Sequence, residues 1–134
     1  VPGPSSFDYA VVRLVPRVER EEFINVGIIL FCRTRGCLIA RIALDLSRLA
    51  VLAPNFDLSA VRDQLELIQR ICAGGPESGP YGEMSRSERF QWLVSPRSTT
   101  IQVSAVHCGL CTDPQTALDE LFGRFVQPLP VTPE

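Results

Sequence analysis

Arginine dominates the side chains of this sequence that could do chemistry. Between Arg13 and Gly27 three arginines, Arg13, Arg17 and Arg20, alternate with Glu19, Glu21 and Glu22 and lead into Asn25. A guanidinium is a planar, permanently charged fork that fits a carboxylate or phosphate. A second polar turn, Ser95 to Thr100, carries Arg97. If the fold lays these two segments side by side, Arg13, Arg17, Arg20 and Arg97 make an anion or carboxylate site, with Glu22 or His107 as candidate proton carriers. The Asn25-Val26-Gly27 step places an amide and a glycine at a strand entrance, which suits close approach by a ligand or another loop. The plainer reading of the same stretch is a solvated loop whose charges pair weakly with one another.

The cysteines offer a different chemistry. His107, the only histidine, precedes a C-x-x-C pair, Cys108 and Cys111, while Cys32 and Cys37 bracket a turn. Four thiolates can bind zinc, but a tetrahedral site wants two tight knuckles, and Cys32 and Cys37 have four residues between them. Buried, reduced thiols are therefore the preferred reading, and no metal or other cofactor is expected. A redox C-x-x-C would need a surrounding βαβ pattern, which is missing. No nucleophile elbow, phosphate-binding loop or dinucleotide fingerprint occurs, so an enzyme is the less favoured class.

Composition narrows the field further. The 134 residues are 46% apolar and 21% charged, which excludes a disordered chain. All 13 basic side chains are arginine, a usage that GC-rich codon bias explains without any appeal to function. A net charge of -2 and a pI near 5.4 argue against nucleic acid or an anionic membrane as partner. The longest apolar run, Val26 to Cys32, falls far short of the roughly 18 residues that span a bilayer. Five cysteines without a secretory pattern suit a cytoplasmic protein.

The elements that must position these groups follow from local pattern. Phe7 to Pro16 is expected as a strand, and Val26 to Cys32 and Cys37 to Ala43 as a hairpin with Gly36 in its loop. Asp45 caps a short helix over Leu46 to Ala53, and Asn55 or Asp57 caps a longer one with Leu58, Val61, Leu65, Ile68 and Cys72 on one stripe. Residues 73–84 read as a mobile loop. Ser85 and Glu88 form a capping box for a helix bearing Phe90 and Trp92. Thr99 to Val106 returns to strand, and Asp113-Pro114 starts a last helix. Strands and helices are segregated along the chain, so the expected fold is α+β, a small antiparallel sheet of about four strands with helices packed on one face. One domain spans 7–126, between a tag remnant or disordered tail at 1–6 and a Pro-rich tail at 127–134.

Four blocks carry a resemblance. Tyr9, Arg13 and Pro16, then Arg20 to Gly27, then Ser87 to Ser98 with Trp92 and Arg97, followed by Ile101 to Gly109, are similar to the bacterial domain of unknown function thirty-thirty-seven. The likeness runs from about Phe7 to Val126, and Glu22 to Gly27 is its most specific part. That family has no established activity, and its members are often encoded beside a kinase similar to the HipA toxin. The resemblance therefore implies an interaction or regulatory protein whose partner is a HipA-like kinase or a second copy, with Arg13, Arg20, Glu22, Asn25, Arg97 and His107 as a polar contact surface. The alternative is a small enzyme or anion-binding module for a phosphorylated or carboxylated metabolite, working through an Arg/Glu/His cluster.

Overall fold

The computed structural model describes residues 3–129. Its centre is an antiparallel sheet built on β1 (Ser5–Leu14), β2 (Ile24–Cys32) and β3 (Cys37–Ile42). The strand order is β3-β2-β1-β4, with β4 (Ile101–Val103) beside the end of β1 and β5 (His107–Cys111) beside its start. Thus Ser5 and Ser6, expected in a tail, belong to the sheet, while residues 1–2 and 130–134 of the expected tails lie outside the described residues.

The hairpin forms where expected, with Cys32 opposite Cys37 and Gly36 at a φ of 58° that favours glycine. The expected strand over Thr99 to Val106 splits in two. Ser104 sits at the break, where its Oγ accepts from Val11 N at 2.8 Å while its own N–H donates to Val11 O. The hydroxyl thereby supplies an acceptor the irregular backbone does not, so a buried donor stays paired.

Four helices follow the caps the sequence sets out. They are α1 (Leu46–Leu52), α2 (Ser59–Ala73), α3 (Arg86–Val94) and α4 (Pro114–Phe125). Asp45 accepts from Ser47 N and Arg48 N, Ser85 and Glu88 close their capping box, and Asp113 accepts from Thr116 N. At the start of α2 it is Asp57, not Asn55, that accepts from Ser59 N. Residues 73–84, expected as a mobile loop, instead hold a 3-10 segment over Pro76–Glu83 with Ser78 buried.

The α+β class stands, but the helices cover both faces of the sheet. Val12, Leu14, Ile29 and Phe31 pack with α2 and α3, whereas Phe7, Val11, Ile28 and Leu30 pack with Leu118, Leu121 and Phe122 of α4. β2 is buried on both sides, and this is why its sequence is a continuous apolar run with no polar alternation. An exposed second face would leave Ile28 and Leu30 in water, at a cost of about 2 kcal/mol each.

One irregularity sets the facing of side chains. Val12 pairs with Gly27 but Arg13 pairs with Asn25, so Val26 is an extra residue, a β-bulge. Ile24 and Val26 face α2 and α3, and beyond the bulge it is Ile29 and Phe31 that do so.

Candidate functional site

The block from Arg20 to Gly27 turns inward from Ile24 onward. Gly27 has no room for a side chain, because a Cβ there would lie 2.8 Å from Arg41 O on β3. Asn25 Nδ2 donates to Phe125 O at 3.0 Å, tying the entrance of β2 to the last turn of α4. Arg13, Asn25 and Gln102 form one row across β2, β1 and β4. The Arg13 guanidinium lies over the Phe23 ring, 4.5 Å from its centroid. Arg13 Nε and Asn25 Oδ1 are buried without a hydrogen-bond partner among the described residues. Arg17 is exposed ahead of a 3-10 turn. Arg20 pairs with Glu22 at 2.5 Å on the surface, and that hydrogen bond raises the Arg20 pKa above its usual value. An exposed pair of this kind stabilises the fold by at most about 1 kcal/mol.

His107 opens β5 opposite Tyr9, and their rings sit 5.5 Å apart. It is exposed. Tyr9 is four residues from Arg13 along β1, a separation of about 13 Å at the rise of a strand. Alternation along β5 puts Cys108 and Cys111 on opposite faces. Cys108 Sγ donates to Asp8 Oδ1 at 3.4 Å, which raises its pKa, while Cys111 joins Cys32 in the cluster under α4. Burial raises the thiol pKa of Cys37 and Cys111 as well, and pushes that of Cys72 to about 12. Cys32, Cys37 and Cys111 therefore share the cluster under α4 while Cys108 stands apart, so the four cysteines weighed as zinc ligands are not gathered in one place. Among the described residues no group of histidine, cysteine, aspartate or glutamate could hold a metal ion.

Arg97 belongs to a different place. The turn after α3 folds back so that its guanidinium lies 3.3 Å from the centroid of the Trp92 ring and donates to Trp92 O, with the Tyr81 ring 4.5 Å from that of Trp92. This stacking combines cation–π attraction with a hydrogen bond to the carbonyl end of α3. The partial burial that results lowers the Arg97 pKa. Beside it opens a groove of about 620 Å³, walled by Leu67 and Ile68 of α2, by Trp92, and by Ile101, Gln102 and Val103 of β4. Its volume falls in the range of about 300–1,000 Å³ usual for ligand sites. Arg97 is the only charged residue that lines it, and no carboxylate lies within 4.0 Å of Arg97 among the described residues.

The structure thus separates the sequence candidates. Arg13 and Asn25 lie on the α4 side of the sheet with Tyr9 and His107, whereas Arg97 lies on the α2–α3 side. Arg17, Arg20 and Glu22 sit in the loop ahead of β2. The sequence reading also passed over Arg89 as a distinct kind of arginine. It is buried, and its guanidinium donates to Ile71 O at 2.5 Å, Cys72 O at 3.0 Å and Met84 O at 3.3 Å, joining the end of α2 to α3. Its place between Glu88 and Phe90 in an amphipathic helix gives no local sign of this. Trp92, expected on a helix, and Gln102, within the Ile101 to Gly109 block, prove to be groove walls.

Comparison with known proteins gives one result. A family model described as "Protein of unknown function (DUF3037)" matches residues 9–126. No curated protein matches, and neither does any solved structure.

Proposed function

This chain belongs to the DUF3037 family, and from that membership we propose that it is a non-enzymatic interaction protein, the regulatory partner of a HipA-like kinase in the bacterial cytoplasm. The observation that supports this reading best is the groove beside β4. It measures about 620 Å³, it is walled mainly by apolar side chains, and it offers one arginine with no carboxylate within 4.0 Å among the described residues. A site built for catalysis places titratable groups with opposed tasks within reach of one another. Here Glu22 is engaged by Arg20, and His107 packs at a tilt against Tyr9, which lies about 13 Å along the sheet from Arg13. The alternative, a small enzyme or anion-binding module, would need Arg13, Arg97, Glu22 and His107 in one pocket. The described residues place Arg13 and Arg97 on opposite faces.

Co-expression with a HipA-like kinase from the same genome, followed by affinity purification, tests the proposal. The expected result is a stoichiometric complex and a change in kinase activity when the chain is present. If the two proteins do not co-purify at micromolar concentration and kinase activity is the same with and without the chain, the proposal is wrong.

A further inference from the structure

Resting on the interaction reading, the geometry points to the kind of segment that the groove accepts. We infer that an extended segment of a partner protein adds to β4 as a further strand, with apolar side chains under α2 and α3 and an acidic side chain on Arg97.

The argument starts at the edge of the sheet. β4 pairs with β1 on one side, and among the described residues no strand pairs with it on the other. Thr100 O accepts from Val15 N, Ser104 N donates to Val11 O, and Gln102 faces Arg13 between them. Antiparallel pairing alternates inward and outward, so Ile101 and Val103 turn their backbone groups away from β1. Ser98 Oγ meets the N–H of Ile101. The N–H of Val103 and the carbonyls of Ile101 and Val103 remain for another strand.

The helix layer extends past this edge. Leu67, Ile68 and Trp92 wall a space whose other side is β4 itself, and Ile101, Gln102 and Val103 all reach it although successive side chains point to opposite faces. The vacant space therefore lies where the next strand of the sheet would run. Strand addition at such an edge takes affinity from main-chain hydrogen bonds and specificity from pockets for alternate side chains. The walls ask for apolar side chains on the helix-facing side. In the groove, Arg97 is held in place by Trp92, partly desolvated and without a counter-charge among the described residues, which selects a carboxylate over a neutral or basic residue.

A random dodecapeptide library displayed on phage, panned against the full chain, is the test. Peptides that bind should share an alternating apolar pattern with one aspartate or glutamate. A synthetic copy of the strongest should bind at least tenfold more weakly to Arg97→Gln and to Val103→Pro, and should slow amide exchange at Val103. Proline at 103 removes an N–H that the β1 ladder does not use, and Arg97→Gln alters an exposed residue, so both variants should keep the wild-type melting temperature and circular dichroism. If no peptide is enriched, if the enriched set lacks the acidic residue, or if binding survives both substitutions, the inference is wrong. A kinase complex that forms equally well with both variants would overturn this docking mode and leave the interaction reading intact; peptide binding without any kinase complex would do the reverse.

Discussion

The entrance of β2 and the turn between α3 and β4 both carry family likeness, and both present arginine, yet the first is closed and the second open. Asn25 and Gly27 spend their chemistry on the fold itself, one on the last turn of α4 and the other on the passage of β3. Trp92, Arg97 and Gln102 leave theirs facing a cavity. The specificity of a sequence block therefore reports how tightly a position is constrained and does not say whether a ligand or the fold imposes the constraint. Arg89 and Arg97, eight positions apart, make the same point. One guanidinium is held by three backbone carbonyls, while the other holds one carbonyl and a ring.

Removing Arg89 should give the largest effect of any single change here. Arg89→Met strips the buried carbonyls of Ile71 and Cys72 of their donor, and the expected loss is about 3 kcal/mol in urea denaturation. A loss under 1 kcal/mol would show that the junction of α2 and α3 is held by something else. Gly27→Ala comes next, at about 2 kcal/mol, because its Cβ meets the β3 backbone and not only the flexible end of Ile42. Asn25→Ala should cost about 1 kcal/mol through the lost bond to Phe125 O. Arg97→Gln, on the open side, should change stability by about 0.5 kcal/mol or less while weakening partner binding. A stability loss there as large as that of Asn25→Ala would erase the distinction between the two regions.

The smallest expected effect is a pH dependence on the closed side. Hydrogen bonds from Thr116 hold the Asp113 carboxyl below its usual value at the start of α4. A carboxylate with a lowered folded-state pKa contributes stability that is complete above its unfolded value, about 3.9, and is lost as pH falls through the folded one. Asp113→Asn should therefore flatten the acid limb of the stability profile and leave neutral pH nearly unchanged. An unaltered acid limb would assign the acid sensitivity to other carboxylates.

What the sequence made legible was local. The hairpin with Gly36, the cap at Asp45 and the box of Ser85 with Glu88 each depend on a few neighbouring residues, and all three form. The placement of α4 on the second face was not read, although the unbroken apolar run of β2 already held the sign of burial on two sides. β5 was missed because Cys108, Gly109 and Cys111 read as a cysteine motif; Gly109 in fact lies under the Phe7 ring, a contact set by distant pairing. Arg97 was singled out by residue type, but its groove could not be foreseen, since that depends on which edge of the sheet α2 overhangs. The acceptor for Asn25 lies 100 residues away in the chain, beyond any spacing rule.

The bulge at Val26 gives β2 a phase as well as a composition. Upstream of it even-numbered residues look towards α2 and α3, and downstream odd-numbered ones do. Deleting one residue of Ile24–Cys32 away from the bulge shifts one segment by half a repeat and turns its side chains to the wrong layer, whereas deleting Val26 itself would only restore regular pairing. The family should therefore tolerate length variation in the turn at 33–36 and almost none within this strand, whatever amino acids fill it.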